Sequence, residues 1–195
     1  MHPVFFRPEA PAIAPPRRRS LLSSAMAIEG FDDSRRSFGA RPHDHASCIA
    51  EALGKAASLC DRRGARLTAI RRRVLELVWR SHQPVGAYEI LGRLRRNGKR
   101  AAPPTVYRAL DFLLENGLVH RLESLSAYIG CPHPEQRHTS QFLICRQCSG
   151  VAEIYDPGIS TAVSTSAAAA GFVVSRLTIE LQGLCPRCRE DPALQ

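Results

Sequence analysis

Hydrophobic side chains recur at helical spacing in four segments between Cys48 and Gly117. The first predicts a helix from Cys48 to about Arg63, ended by Gly64, and the second, LTAIRRRVLELVWRSH, predicts a helix capped by Thr68. The third is GAYEILGRLRRNG, and the fourth, PPTVYRALDFLLENG, begins with two prolines and ends with Asn-Gly. The buried stripe expected for the fourth helix consists of Val106, Ala109, Leu110, Leu113 and Leu114.

After Gly117 the pattern changes to short extended runs. LVHRLE and AYIGC, separated by Ser124 to Ser126, predict a small hairpin. Helices closed by a hairpin form a winged helix-turn-helix, in which the second helix of the turn places its N-terminal residues in the DNA major groove. The fourth helix is therefore expected to contact DNA. The predicted DNA-binding residues are Arg66, Tyr88, Thr105, Tyr107 and Arg108, with the cluster Arg71 to Arg73 able to hold the phosphate backbone.

Other interpretations remain open for these residues. Tyr107 could pack against a neighbouring helix, and the arginines could form a solvated face.

The last third of the chain predicts a second, mixed domain. TSQFLIC and GVAEIY predict strands around a Cys-x-x-Cys turn, GISTAVSTSAAAAGF a helix ended by Gly171, and FVVSRLTIELQG a long strand. The edges of so short a sheet favour pairing with a second copy, so we expect a homodimer. The predicted fold class is α+β, with a winged helix-turn-helix domain over residues 43–124, an α/β dimerisation domain over 125–190 and a tail over 191–195.

The N-terminal segment differs in composition from the rest. Residues 1–42 are rich in Pro, Ala, Ser and Arg and show no sustained periodicity, so we expect them to be disordered. Alternatively, translation begins at Met26 and the first residues are an artefact of annotation. The run His43 to His45 could bind an additional metal, but we expect a flexible, solvated segment there.

Charge is distributed unevenly along the chain, whose net charge is +9. Residues 48–123 carry fifteen basic and seven acidic side chains, whereas residues 124–195 carry five basic and six acidic ones. This surplus indicates a polyanion-binding module beside a neutral one, although a basic face kept for solubility is the alternative. No apolar run approaches the roughly 20 residues of a membrane-spanning helix, so we expect a cytoplasmic protein without a membrane partner.

Four of the seven cysteines form two pairs, Cys145-x-x-Cys148 and Cys185-x-x-Cys188. Each pair lies on a predicted turn that lets both thiolates reach one ion, and two pairs complete the all-sulfur shell of structural zinc. Two redox pairs are the alternative. Neither pair lies at the strand-to-helix junction of a thioredoxin-like pattern, which favours zinc.

A second group of potential ligands surrounds the first: His120, Cys131, His138 and Glu153. One thiolate, two imidazoles and a carboxylate can fill four-coordinate zinc, and such a mixed shell binds less tightly than four thiolates. His133 is a competing ligand, two residues after Cys131. On spacing alone the alternative remains open, because an isolated histidine or glutamate is more often a surface residue. If both groups bind metal, the prediction is two zinc ions per subunit, one structural and one regulatory.

The motifs RLT, PPTVYRALDFLLENGLVHR, HTSQFLICRQC and GLCPRC, in this order and spacing, resemble the ferric uptake regulator family, specifically its zinc uptake regulator branch. The resemblance covers roughly residues 48–190. It implies a winged-helix domain joined by a hinge to an α/β dimerisation domain. It also implies that the four paired cysteines hold structural zinc and that His120, Cys131, His138 and Glu153 form the regulatory site.

The branch assignment depends partly on ligand chemistry. Iron-sensing members typically carry a run of the form HHxDH before the first Cys-x-x-Cys, whereas this chain has CPHPEQRHTSQ. A thiolate at Cys131 favours zinc over harder iron.

The function implied by the resemblance is that of a zinc-responsive transcriptional repressor, not an enzyme. Such a protein binds double-stranded operator DNA as a zinc-loaded homodimer and controls genes for zinc uptake. An iron, nickel or peroxide sensor of the same family is the main alternative. A zinc-dependent hydrolase would need a metal position open to water, and the predicted quartets fill four-coordinate zinc.

Overall fold

The computed structural model describes residues 38, 44–80, 83–96, 101–135 and 139–191, all within one compact unit formed by residues 32–195. The elements follow in the order α1 (His45–Arg62), α2 (Ala69–Trp79), β1 (Val85–Gly86), α3 (Ala87–Arg96), α4 (Pro103–Glu115), β2 (Val119–Leu122), β3 (Ala127–Gly130), β4 (Ser140–Cys145), β5 (Val151–Ile154), α5 (Pro157–Ala169), β6 (Thr178–Gly183) and α6 (Pro186–Glu190). This architecture confirms the predicted α+β class.

Several sequence predictions fall on residues outside this description. They are the disordered extension over residues 1–42 apart from Phe38, the alternative start at Met26, the ligands His43 and His138, and the tail beyond residue 191.

Helix α1 begins earlier than the hydrophobic pattern indicates. Asp44 is its N-cap, and the Asp44 carboxylate accepts a hydrogen bond of 2.9 Å from the backbone N–H of Ala46. The flexible segment expected at His45 is therefore wrong, because His45 is the first residue of the helix. The overlooked signal was the aspartate, one of the preferred N-cap residues.

The starts of α2 and α4 follow the predicted chemistry only in part. Thr68 occupies the N-cap position of α2, but its side chain makes no capping hydrogen bond. Pro103 and Pro104 occupy the first positions of α4, where their fixed backbone angle suits a helix and their missing N–H groups cost nothing. Gly117 follows α4 with a φ of 68°, the left-handed conformation that glycine adopts most readily.

The first hydrophobic core lies among α1, α2, α3 and α4. Its fully buried members lie on the four predicted helices and include Ala56, Val74, Leu77, Ile90, Leu94, Leu110 and Leu113. Of the stripe predicted for α4, Leu114 is only half-buried, but it still packs against this core. These helices form the scaffold of a helix-turn-helix module.

A three-stranded antiparallel sheet in the order β1-β3-β2 closes this module. Val119 lies opposite Gly130 and Leu122 opposite Ala127, which confirms the predicted hairpin. The two-residue strand β1 pairs with β3 and was missed because two residues carry no periodicity. Strand β3, which pairs with β2, lies after the domain boundary predicted at residue 124.

The second sheet has the order β5-β4-β6, with β5 antiparallel and β6 parallel to β4. Helix α5 forms the crossover between β5 and β6. The long strand predicted from Phe172 is wrong in its first half, because the strand covers only Thr178–Gly183. Phe172 and Val173 are 67% and 88% exposed and lie outside any strand.

The two sheets meet along β2. Leu122 is fully buried and packs with Phe142 and Ile144 of β4 in a small second core. Ile129 and Val151 pack against the edge of that core. Strand β2 thus belongs to the winged-helix sheet through its hydrogen bonds and contacts the C-terminal sheet through its side chains.

In the part of the chain that the structure describes, no helix has both the length and the apolar character needed to cross a membrane.

Candidate metal centres and nucleic-acid interface

The cysteine quartet lies where two parallel strands end. Cys145 is the last residue of β4 and pairs with Gly183, the last residue of β6, so the turns that follow both strands meet. Cys148 lies in the turn after β4, Cys185 is the N-cap of α6, and Cys188 lies within α6. The predicted grouping of the two Cys-x-x-Cys pairs is therefore a direct result of the parallel pairing.

The quartet has the dimensions of a tetrahedral thiolate site. Its four sulfur atoms lie within 4.8 Å of one another, and the Sγ atoms of Cys148 and Cys185 are 3.8 Å apart. A zinc–sulfur bond of about 2.3 Å in a tetrahedron requires sulfur atoms about 3.8 Å apart. The residues therefore fit zinc. Three of the four cysteines are buried, and Cys148 is exposed.

Backbone amides favour the thiolate form of one of these cysteines. Burial alone would raise the pKa of Cys145, but backbone N–H groups of Cys148, Cys185 and Gln147 lower the pKa to about 6. The N–H of Cys185 donates to the Cys145 Sγ at 3.4 Å. In contrast, the pKa of Cys188 is raised to about 12, first by its hydrogen bond with Cys185 and then by burial. Four close thiols cannot all ionise without a cation, which a metal ion would supply.

Phe38 is a neighbour of the quartet that sequence reasoning missed. It is half-buried and packs against the cluster of Cys145, Cys185 and Cys188. Its sequence context, a polar and glycine-containing segment, carries no periodic signal that could have identified it.

The second candidate centre joins the two sheets. His120 on β2 and Glu153 on β5 approach with 3.5 Å between Nε2 and Oε1. The Nδ1 atom of His120 lies 2.8 Å from the Ser140 hydroxyl, and its ring makes an edge contact with Phe142 at 5.4 Å between centroids. Ser140 and Phe142 thus fix the ring so that Nε2 points to Glu153, an arrangement typical of histidines that bind metal.

Cys131 follows β3 directly and is buried. Its backbone N–H donates to the Leu118 carbonyl at 3.0 Å, which extends the hairpin by one pair. Because side chains alternate along a strand, this pairing places Cys131 on the same face of the hairpin as His120.

Part of this predicted regulatory site is not assembled in the described structure. Among the described residues, only the cysteine quartet brings three or more potential ligand atoms within 4.8 Å of one another. His120 and Glu153 are paired, Cys131 does not complete a group of three with them, and His138 lies outside the described residues. The competing ligand His133 is half-buried in the segment between them.

The predicted DNA contacts share one property, which is exposure. Tyr88 is 74% exposed and Tyr107 is 41% exposed, and Arg66, Thr105 and Arg108 are exposed as well. Tyr107 therefore does not pack into the core of the module. In α4, prolines occupy the first two positions and the Thr105 N–H donates to Ala102. Phosphate contacts at the start of α4 would therefore come from side chains.

The cluster Arg71 to Arg73 does not face outward as a whole. The Arg71 guanidinium lies 3.6 Å from the centre of the Phe112 ring and donates to the Arg66 carbonyl at 2.6 Å. Arg73 forms an ion pair with Glu76, and Arg72 is exposed. Arg71 thus positions the loop that carries Arg66, and Arg72 is the member best placed to meet phosphate.

Known proteins resemble this chain in sequence. The sequence pattern that defines the ferric uptake regulator family matches residues 62–182. The chain is 43% identical over 144 residues to the zinc uptake regulation protein of Escherichia coli, covering 73% of this chain and 84% of that protein. A zinc uptake regulation protein of Mycobacterium tuberculosis is 33% identical over 106 residues, covering 53% and 78%.

Solved structures agree in fold. A zinc uptake regulator complexed with zinc and DNA superposes with a TM-score of 0.70 at 42% identity, covering 73% of this chain and 95% of that one. The crystal structure of holo XcZur superposes with a TM-score of 0.68, also at 42% identity, covering 72% and 99%.

Proposed function

The chain belongs to the ferric uptake regulator family, and on that basis we propose that it is a zinc-responsive transcriptional repressor of zinc uptake genes. The observation that carries the proposal is the contact between His120 of the winged-helix module and Glu153 of the C-terminal sheet, 3.5 Å apart. A ligand set divided between these two parts can convert metal binding into a change of their relative orientation. The similar structure of a zinc uptake regulator complexed with zinc and DNA supports this proposal.

Two zinc ions per subunit are proposed, with different roles. Cys145, Cys148, Cys185 and Cys188 would hold the structural ion, which fastens the ends of β4 and β6 together. His120, Cys131, His138 and Glu153 would hold the regulatory ion, with Cys131 contributing the thiolate that favours zinc. Zinc bound there would supply the positive charge that holds these four side chains together.

The protein's own residues transmit the signal. His120 is held by Ser140 and Phe142 of β4, so drawing Nε2 and Cys131 toward Glu153 seats the hairpin on the C-terminal sheet. The hairpin is hydrogen-bonded into the winged-helix module, which therefore moves as one body with it. With His120, Cys131 and Glu153 drawn together, one orientation of the α4 helices would be favoured, and without that attraction other orientations would become populated.

The proposed partners are double-stranded operator DNA and a second copy of the chain, in the cytoplasm. DNA would be contacted by Arg66, Tyr88, Thr105, Tyr107 and Arg108, all exposed on the basic winged-helix module. The apolar side chains exposed on the C-terminal sheet and beside it suit a dimer interface: Val163, Phe172, Val173, Leu181 and Leu184. A dimer presents two copies of α4 to a two-fold symmetric operator.

The decisive experiment separates the two histidine candidates. His120→Ala should leave a folded dimer whose operator affinity no longer responds to zinc, a loss of about 5- to 150-fold if the coupling is of ordinary allosteric size. His133→Ala, two residues beyond Cys131, is the matched control and should respond like the wild type. Operator binding is measured by anisotropy with and without buffered zinc.

A zinc response that is kept in His120→Ala and lost in His133→Ala would contradict the assignment of His120 and place the sensing site at His133. Repeating the operator-binding titration with Fe²⁺, Ni²⁺ and Mn²⁺ tests which metal ion the protein responds to. Tighter operator binding with one of those ions, at equal free concentration, would make the chain a sensor of that metal instead.

A further inference from the structure

Three residues in register form a row across the C-terminal sheet. Glu153 of β5 and Glu180 of β6 both pair with Phe142 of the central strand β4. Paired residues on neighbouring strands project from the same face of a sheet. The row therefore places a carboxylate at each end of one face, with the buried Phe142 ring between them.

Strand β2 and the turn that follows it lie over this row. At one end His120 approaches Glu153, and its ring contacts Phe142 in the middle. At the other end the Glu180 carboxylate accepts hydrogen bonds from the backbone N–H groups of Glu123, at 2.7 Å, and Ser124, at 3.0 Å. The winged-helix module is thus held at both ends, once through side chains of the proposed metal site and once through a carboxylate that needs no metal.

The chemistry of the second contact is that of a small anion receptor. Consecutive backbone N–H groups in a turn converge on a carboxylate, and hydrogen bonds to an ionised acceptor are about twice as strong as neutral ones. Burial alone would raise the pKa of Glu180, but the hydrogen bonds from Ser124 and Glu123 outweigh it and hold the pKa below its ordinary value. Glu180 is therefore ionised at neutral pH. The Glu123 side chain takes no part, because it pairs with Arg121.

We propose that Glu180 is a positioning residue that anchors the turn after β2 to the C-terminal sheet whether or not regulatory zinc is bound. The anchor acts as a pivot: when zinc leaves the site at His120, the winged-helix module turns about the Glu180 contact instead of separating from the sheet. When zinc returns, His120 is already close to Glu153. The proposal rests on the proposed function, because it assigns Glu180 a part in the same zinc response.

The first test follows the two amide groups directly. Hydrogen exchange at the Glu123 and Ser124 amides, measured by NMR on full-length dimer that retains its structural metal, should be slow with and without regulatory zinc. Glu180→Ala should accelerate exchange at both amides by about tenfold or more, since hydrogen bonds to charged groups contribute on the order of 1.5–3 kcal/mol. Amides that are protected only in the zinc-loaded wild type would overturn the pivot.

The second test measures the buffered free zinc concentration at which operator binding is half-maximal. In Glu180→Ala, His120 is no longer held close to Glu153 before zinc binds, so that concentration should rise about tenfold, and Glu180→Gln, which keeps one neutral acceptor oxygen, should lie between Ala and wild type. Glu123→Gln is the matched control: it also removes one negative charge at this contact but leaves both amide contacts, so its midpoint should equal that of the wild type. An unchanged midpoint in Glu180→Ala, with faster amide exchange, would reduce Glu180 to a local stabiliser and overturn the proposal.

The two hypotheses fail in different ways. The proposed function would be refuted by a wild-type protein whose DNA affinity is the same with and without zinc. Amide protection in the zinc-free state would still decide whether the Glu180 contact exists as a pivot. Melting temperature and sedimentation identify a variant that fails to fold or dimerise, and in that case Glu180→Gln and the wild-type exchange data carry the test.

Discussion

A methyl group added at Gly130 should destabilise the protein and disturb the proposed regulatory site. Gly130 ends β3 directly before Cys131, and the indole of Trp79 covers it. A Cβ atom at this position would lie 2.3, 2.5 and 2.8 Å from the Cε2, Nε1 and Cζ2 atoms of Trp79. Carbon atoms in contact rest about 3.5–4.0 Å apart, so in Gly130→Ala the ring or the strand must shift by roughly 1.2 Å or more.

The expected cost is that of an overpacked core, about 1–3 kcal/mol of unfolding free energy. For a protein of this size each kcal/mol lowers the melting temperature by about 2–4 °C, so Gly130→Ala should melt about 2–12 °C below the wild type. Because the strained segment continues into Cys131, the variant should also bind regulatory zinc more weakly. Trp79 is the only tryptophan in the chain, so its fluorescence reports the displacement without labelling.

Gly92→Ala is the matched control for the Gly130 variant. Gly92 lies inside α3, and a Cβ there would meet nothing within 4 Å. Alanine is preferred over glycine in helix interiors by about 0.8–1.0 kcal/mol, so Gly92→Ala should raise the melting temperature. If Gly130→Ala had the melting temperature and the Trp79 emission of the wild type, Trp79 would not cover Gly130 in solution and the packing argument would be wrong.

Two further substitutions separate DNA contact from metal binding. Arg108→Ala should weaken operator binding with its zinc content unchanged. If the guanidinium reads a base, discrimination at one base pair should fall by about 1–3 kcal/mol; if it meets phosphate, the slope of log K against log salt should lose about 0.9 for each contact. Unchanged affinity for operator and random DNA would remove Arg108 from the interface. Cys185→Ser should lower the zinc content by one ion per subunit, lower the melting temperature and loosen the dimer in sedimentation, because β4 and β6 lose their shared ligand set. A serine variant that kept two zinc ions per subunit would exclude the quartet as a structural site.

The helical half of the fold was largely predictable because its hydrophobic pattern is complete within one chain. Each of α1 to α4 buries a stripe against the others, and the structure follows those stripes to within a few residues at each end. The errors are local. The start of α1 depends on the Asp44 cap, and Thr68 occupies its predicted N-cap position without making a capping hydrogen bond.

The C-terminal half was less predictable for a physical reason. The alternating residues of FVVSRLTIELQG suggested one long strand, but Phe172 and Val173 are largely exposed and lie outside it. Helix α5 likewise has no buried residue. The exposed apolar side chains of this segment and of α5 do not stabilise the fold of one subunit. The apolar pattern that predicted an internal strand therefore describes a surface of the subunit.

The two candidate metal sites also differ in how far the sequence predicts them. The cysteine pairs could be predicted to meet because thiolates at this spacing have few other roles, and their parallel strands bring them together. For the second site, sequence identified His120 and Glu153, which the structure brings to 3.5 Å. The supporting contacts of Ser140 and Glu180 depend on the register of β2, β4 and β6, which no local pattern specifies.

The parallel pairing of β4 and β6 also determines when the quartet can form. Cys148 and Cys185 are 37 residues apart in sequence, and α5 must cross over before the strands can pair. Such non-local pairing is slow, because the chain loses loop entropy before it gains contacts. During that interval the two Cys-x-x-Cys pairs are apart and accessible, and the four sulfur atoms that would together hold one ion are not yet assembled. Refolding therefore has a period in which oxidants compete with zinc for these cysteines, and the yield of active protein should depend on the reductant present before the metal is bound.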